Sequence, residues 1–232
     1  MRLGIVGALS SELRALTGKP VATGVVVSLS PDVLLVLSGI GAARAHSAGR
    51  WLLQHGATAL LSWGCAGALV DGLPSGSLLL PEKIITAEQT VIEVSRDWHA
   101  QLYRRLASEF ALVTEPLVES PTVVANSGQK RALAARCGAV AVDMESAALG
   151  RLAQQAGVLF AVIRAVADTV DRVVPCWLSS SMDPWGRPKL SGLLRGLLLH
   201  PHEWLALVRL ALGFRASRAT LTRAAEKLII DN

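Results

Sequence analysis

A set of carboxylates and one arginine stand where apolar runs of this chain end. Glu12 follows the run at residues 3–8, within Gly7-Ala8-Leu9-Ser10-Ser11-Glu12. Val142-Asp143-Met144-Glu145-Ser146 lies where a buried strand turns into a helix, and Arg164 and Asp168 end the run that starts at Leu159. Carboxylates and a guanidinium gathered at strand ends are the groups of acid–base and charge-stabilising chemistry, and the edge of an α/β sheet is where a pocket forms. Taken singly, each has an ordinary structural reading. Asp143 or Glu145 can cap a helix or favour its N-terminus, Asp168 can close a turn, and Glu12 can be solvated. Their joint placement favours a site.

Other chemistries are excluded or weak. There is no Gly-x-Ser-x-Gly elbow and no His-Glu-x-x-His, and the 5 histidines show no metal spacing beyond the pair His200 and His202, so no metal is expected. Gly39-Ile40-Gly41-Ala42-Ala43-Arg44 resembles half of a dinucleotide fingerprint, but Arg44 replaces its last small residue and no acidic residue follows at the required distance. No nucleotide cofactor is expected. The alternative is a tight turn whose backbone N–H groups hold an anion or hydroxyls.

The elements that must position these residues alternate. Strands are predicted at residues 3–8, 32–37, 59–63, 77–80, 83–86, 117–119, 122–124, 139–142 and 159–166. Helices are predicted at 42–55, 97–110, 128–137 and 145–156. Apolar strands alternating with helices predict an α/β fold, a central mixed sheet flanked by helices. The 232 residues fit a single domain, 1–232, with a core at 1–171 and an extension at 172–232. In the extension, helices are predicted at 190–199 and 202–212, with Ser217 capping a last one.

Residues 1–171 hold 14 Lys/Arg and 14 Asp/Glu, whereas 172–232 hold 9 and 4, which is the whole net charge of +5. A basic, leucine-rich extension on a neutral body suggests an acidic surface as partner. Without a helix-turn-helix or RNA-binding signature, nucleic acid is not expected. Leu193, Leu194, Leu197, Leu198, Trp204, Leu205, Leu207, Val208, Leu212 and Phe214 offer either a core or subunit interface or a greasy surface for a lipid-like substrate or membrane. Interruption by Arg195, His200, Pro201 and Arg209 predicts a peripheral contact and not a span. Met1-Arg2-Leu3-Gly4 lacks the apolar core of a signal peptide, which predicts a cytoplasmic protein, and 3 scattered cysteines argue against a disulfide framework.

Gly4-Ile5-Val6-Gly7-Ala8 with Glu12, Ser38-Gly39-Ile40-Gly41, Gly64-Cys65-Ala66-Gly67, Val142-Asp143-Met144-Glu145 and Val162-Ile163-Arg164-Ala165-Val166-Ala167-Asp168 carry a resemblance in the right order. Over residues 1–171 the chain resembles the nucleoside phosphorylase and nucleosidase family that includes the methylthioadenosine/S-adenosylhomocysteine nucleosidases. The stretch Asp183-Pro184-Trp185-Gly186-Arg187-Pro188-Lys189-Leu190 and the leucine-rich segments after it look like the branch called hopanoid-associated phosphorylases. That branch is implied to release adenine from adenosylhopane. The alternatives are methylthioadenosine or S-adenosylhomocysteine cleavage, and a non-catalytic nucleoside- or lipid-binding protein on the same fold. The resemblance further implies a phosphorylase/hydrolase-like fold, a homo-oligomer, and no cofactor beyond phosphate as a co-substrate.

The resemblance also assigns roles. Asp168 is implied as the acid at the purine, and Glu12 with Arg164 as the pair that holds the attacking water. Glu145 is implied to accept hydrogen bonds from the ribose hydroxyls, Met144 to pack against the ribose, and Asp143 to take part in substrate binding. The backbone at Cys65, Ala66 and Gly67 is implied to line the base and nucleophile side, with Val123 on a strand beside the purine. Four positions depart from the family pattern. Cys65 replaces a small hydroxyl residue, and Asp143 replaces a glutamate. Ser62 stands where phosphorylases place a phosphate-binding arginine. Ala167 replaces a serine, which removes a hydrogen bond that would orient Asp168.

Overall fold

The computed structural model describes residues 1–172, Trp177, Asp183 and 199–229. Among the described residues, 11 strands form one mixed sheet in the order β2-β3-β1-β4-β10-β9-β6-β7, with β11 beside β4 and β5 and β8 beyond it. Five elements matter for the site: β1 (Leu3–Gly7), β3 (Val33–Leu37), β4 (Ala59–Ala68), β10 (Ala141–Asp143) and β11 (Leu159–Asp168). The others are β2 (Val26–Ser30), β5 (Leu78–Leu79), β6 (Lys83–Ile85), β7 (Val91–Glu93), β8 (Leu112–Val113) and β9 (Leu117–Glu119). The helices are α1 (Ser10–Thr17), α2 (Ala42–Gln54), α3 (Arg96–Leu106), α4 (Ser127–Cys137), α5 (Ser146–Ala156) and α6 (Trp204–Ile229), the last preceded by a short 3-10 turn at Pro201–Glu203.

β4 is the junction of the sheet. It runs parallel to both β1 and β11, then turns its last residues antiparallel to β10. Both of its faces are covered, which is why β1, β3, β4 and β11 read as nearly unbroken apolar runs. Alternate residues sort to opposite sides. Val6, Val36, Leu60 and Val162 pack with α2 and α5, through Ala45, Leu52, Leu149 and Leu152. Ile5, Leu35, Leu61, Trp63 and Ile163 pack with Leu13 of α1, Trp98 and Leu102 of α3, and Leu221 and Ala224 of α6. Residue Gly213 lets α6 cross the end of β11, because a Cβ there would collide with the Ala167 carbonyl oxygen.

The architecture is the α/β mixed sheet the sequence predicts, with local differences. Residues 122–124 do not form a strand. Pro121 supplies no backbone donor, and Ser120 Oγ donates to the Thr122 carbonyl at 2.6 Å, which turns the chain locally. Residue Ser217 caps nothing: α6 runs through it without a break, and its buried hydroxyl donates back to the Phe214 carbonyl at 3.0 Å. The helix predicted at 202–212 is therefore the first part of a 26-residue helix. Short strands β2, β7 and β8 had no strong sequence signal. The helix predicted at 190–199 lies outside the described residues except for Leu199, and with it Leu193, Leu194, Leu197 and Leu198.

Candidate active site

Where β1, β4, β10 and β11 end, a cavity of about 380 Å³ opens. Its walls come from the turn after β1 (Ala8, Leu9, Ser11, Glu12), the bend of β4 (Cys65, Ala66, Gly67), the loop at Thr122, Val123 and Val124, and the β10–α5 junction (Val142, Asp143, Met144, Glu145). Ile40, the β11 end (Ala167, Asp168) and Leu210 and Phe214 of α6 complete it. All of the residues singled out from the sequence line this space except Arg164.

Glu12 is set by its own helix. It stands at the third position of α1, and its Oε2 accepts the N–H groups of Ala8 and Leu9, both at 2.9 Å. Its Oε1 accepts the Cys65 N–H at 2.8 Å across the cavity floor. That reach requires Gly64, since a Cβ there would lie 2.6 Å from Glu12 Oε1 and 2.7 Å from Arg164 Nη1. Burial raises the Glu12 pKa, against the pull of Arg164 and the three backbone N–H groups. Burial also raises the Cys65 thiol, and the charge of Glu12 adds to it, so Cys65 stays protonated.

Glu145 stands at the N-cap position of α5, but its side chain reaches the Ser38–Gly41 turn, where its Oε1 accepts the Gly41 N–H at 2.9 Å. The glycine-rich turn is thus an anion-holding turn, and the anion is a side chain of the protein. Gly41 has φ 102°, a conformation that selects glycine. Burial raises the Glu145 pKa to about 7; Arg164 opposes the rise, while Asp143 and Glu12 add to it.

The resemblance gives Arg164 a place beside the attacking water, but its guanidinium lies beneath the cavity floor. It is 1% exposed, and its Nη1 and Nη2 groups donate to protein acceptors. Nη2 is 2.6 Å from Asp143 Oδ2 and 3.7 Å from Glu145 Oε2, and it donates to Ser62 Oγ at 2.7 Å. Nη1 donates to the Cys65 carbonyl at 3.2 Å. Burial works against its charge, yet Asp143, Glu145 and Glu12 together hold its pKa above the usual value. The Asp143 carboxylate is taken up in turn by Arg164 and by the N–H and hydroxyl of Ser146, so its backbone, rather than its charge, is what it presents to the cavity.

Asp168 is built differently. β11 and β4 pair residue for residue up to Val166 and Ala66, and then Asp168 pairs Gly67, a bulge that leaves Ala167 unpaired. The bulge re-aims the last side chain of the strand. The Asp168 side chain is 15% exposed, and its Oδ2 is ion-paired to Lys130 Nζ. Lys130, on the first turns of α4, is fully buried, and it also donates to the carbonyls of Thr169 at 2.8 Å and Arg172 at 3.2 Å. Burial raises the Asp168 pKa, and Lys130 and then Arg172 oppose the rise. The orienting bond that Ala167 removes is therefore supplied from another helix. Sequence reasoning missed Lys130, because Gln129-Lys130-Arg131 reads as a solvated helix start. The signal for it was indirect: an aspartate without its neighbouring hydroxyl needs another donor.

Comparison with known proteins gives a consistent picture. The model of the Phosphorylase superfamily matches residues 2–198. No curated protein matches the sequence. Among solved structures, the futalosine hydrolase of Helicobacter pylori strain 26695 is similar with a TM-score of 0.76 at 18% identity, covering 100% of this chain and 98% of the other. The 5′-methylthioadenosine/S-adenosylhomocysteine nucleosidase of Neisseria meningitidis, in complex with methylthio-immucillin-A, gives 0.75 at 18% identity, with 100% and 99% covered. The corresponding nucleosidase of Helicobacter pylori, complexed with a substituted pyrrolidin-3-ol, gives the same values. At this identity the likeness is one of fold.

Proposed function

This chain belongs to the phosphorylase superfamily, and from that premise we propose that it cleaves the N-glycosidic bond of a purine nucleoside by hydrolysis, with adenine as the leaving base. Breaking that bond builds positive charge on the sugar and negative charge on the purine. Asp168, protonated beforehand, gives its proton to the purine nitrogen as the bond's electron pair moves onto the base. Glu145 accepts the ribose hydroxyls, and its charge favours the cationic sugar. A water attacks the anomeric carbon, and its proton passes to Glu12. Met144 packs under the ribose. Arg164 works against the burial that raises Glu12 and Glu145.

One observation carries the choice of water over phosphate. The cavity wall presents Glu12, Asp143, Glu145 and Asp168 and, among the described residues, no lysine or arginine. The two nearest buried cations, Arg164 and Lys130, lie behind that wall with carboxylates as partners. Ser62, at the place of a phosphate-binding arginine, is fully buried and bonded to Arg164. A phosphate dianion would meet acidic residues on this wall and, among the described residues, no cation. Adenine release with and without inorganic phosphate tests this: equal rates are expected, and turnover that vanishes in phosphate-free buffer would overturn hydrolysis and point to a cation such as Arg44.

The finer reading is adenosylhopane as substrate. What supports it is α6. Its inner side closes the cavity with Leu210 and Phe214, and its outer side shows Trp204, Leu205, Val208 and Leu212, each more than half exposed. These four share one helical face, with exposed Arg209 and Arg215 nearby. An apolar strip beside the cavity, flanked by cations, suits a lipid-like 5′ substituent drawn from an anionic bilayer. The likeness to methylthioadenosine nucleosidases favours a second reading, a small 5′-thioether nucleoside. Cleavage of adenosylhopane and salt-sensitive co-sedimentation with anionic vesicles are expected. Cleavage of 5′-methylthioadenosine alone, with no vesicle binding at low salt, would select the second reading. Among the described residues no helix is long and apolar enough to cross a membrane.

A further inference from the structure

A lysine with no exposed surface is rare unless its three N–H donors are all met. Lys130 meets them with one carboxylate oxygen and two backbone carbonyls, and all three partners lie on the stretch from Asp168 to Arg172. Its own helix is fixed at both ends, by the Asn126 side chain accepting the Gln129 N–H at 2.9 Å and by Gly138 at φ 70°. The lysine therefore joins a rigid helix to the one strand end that a bulge has re-aimed into the cavity.

We propose that Lys130 is the positioning residue for Asp168: its ammonium holds the carboxyl against the purine and takes up the negative charge left when Asp168 gives its proton away. The inference rests on the reading of Asp168 as the acid. Lys130 engages Oδ2, so the purine is met through Oδ1. After the proton has moved to the base, the carboxylate left behind forms an ion pair in a site largely closed to water, where the partner charge counts for more than in solvent. Regaining a proton from solvent restores the acid. The charged groups facing Asp168 are Lys130 from α4 and Arg172 from the chain just past β11. From α6 the cavity receives only Leu210 and Phe214, and the other acids on its wall are Glu12, Asp143 and Glu145. Arg172 is engaged elsewhere, donating to Ser75 Oγ at 3.1 Å and to the Arg209 carbonyl at 2.8 Å. Lys130 is thus the cation in direct contact with the acid.

The test is a double-mutant cycle read by rate and by pH profile, on whichever of adenosylhopane and 5′-methylthioadenosine the wild-type protein cleaves. Lys130→Met keeps the length of the side chain and removes the charge. Its kcat is expected to fall on the order of 10²-fold, as for a misplaced catalytic group, with KM little changed. Without the cation Asp168 holds its proton to higher pH, so the alkaline limb of the rate profile moves upward. Lys130→Arg keeps the charge and is expected to leave that limb in place even where its rate is lower. In an Asp168→Asn background Lys130→Met is expected to cost nothing further, because the group it acts through is gone. An unmoved alkaline limb, or the same further loss in both backgrounds, overturns the proposal. An Asp168→Asn protein of full activity would instead remove the acid itself, which is a different failure. Thermal melting of each variant separates loss of fold from loss of function.

Discussion

The two halves of the cavity are held by different means. On the side proposed to meet the sugar and nucleophile, Glu12, Asp143, Glu145 and Arg164 form one buried network. Glu12 alone accepts three backbone N–H groups, Glu145 accepts one, and Arg164 touches Asp143, Ser62 and Cys65. On the side proposed to meet the purine, Asp168 depends on a strand bulge and one lysine brought from α4. The first half is over-determined, so that losing any one bond leaves the others. The second is poised by a single ion pair. This division suits the chemistry. On the proposed mechanism, the charge of Glu145 must persist while a cation develops next to it. On the same reading Asp168, the proposed acid, must give up and regain a proton in every turnover, so its partner must be strong enough to position it and still let it titrate.

The largest expected effect comes from breaking the over-determined half at its centre. Arg164→Met leaves Asp143, Glu145 and Glu12 buried near one another with no cation among them. Removing one member of a buried ion pair destabilises by about 3–5 kcal/mol. Lys130→Met should destabilise less, because Asp168 is nearer the cavity surface and can take up a proton. Urea unfolding of the two variants measures the difference. Equal stabilities would erase the contrast between the halves.

Asp168→Asn follows. If Asp168 is the acid, kcat falls by about 10²–10⁴-fold. The amide keeps the size of the side chain and can still accept from Lys130 through its carbonyl, so the melting temperature should hardly change. Adenine release and a thermal scan on the same preparation check both. Near-full activity would take Asp168 out of the mechanism.

How far these halves are legible in the sequence differs in the same way. Glu12, Asp143, Glu145 and Arg164 announce themselves, because each stands at the end of an apolar run or at a strand–helix junction, and local chain direction brings such ends together. The strands of the central sheet were legible for the same reason: buried on both faces, they are apolar throughout. Lys130 was not legible. It is 38 residues from its partner, and nothing in its own helix distinguishes a buried lysine from a solvated one. Residues 122–124 look like a strand through Val123 and Val124, yet Pro121 and the Ser120 hydroxyl make a loop there, and the loop still lines the cavity. Ser217 looks like a cap and is an interior residue of α6, because a long helix that buries Leu210, Leu221, Ala224 and Ala225 overrides one local preference.

Gly213→Ala tests whether the purine half also rests on α6. The added methyl would meet the Ala167 carbonyl, Arg172 Nη1 at 2.6 Å and Ser75 Oγ at 3.1 Å. The helix must shift off β11 next to Asp168. Overpacking of this kind costs about 1–3 kcal/mol. The expected outcome is a lower melting temperature, with a loss in kcat that comes through Asp168 and vanishes in an Asp168→Asn background. A loss of the same factor in both backgrounds would place the effect of α6 on the apolar wall instead.

The smallest effect at neutral pH separates the halves most directly. Burial raises Glu145 to about 7, so near that pH it is half ionised in the free protein. If its charge favours the cationic sugar, only the ionised form is productive. Raising the pH through 7 then fills that form, and lowering it empties it, so kcat/KM falls on the acid side and approaches a tenfold drop per unit well below 7. At pH 7 itself the loss is about twofold. Glu145→Gln cannot ionise, so its acid limb should flatten onto a low rate that no longer responds to pH in this range. Asp168→Asn should behave in the opposite way: its rate is low throughout, but the acid limb stays near 7, because the group that produces it lies in the other half of the cavity. An acid limb that moves in Asp168→Asn and stays put in Glu145→Gln would show that the two halves titrate as one unit, and the division between a fixed sugar side and a poised purine side would fail.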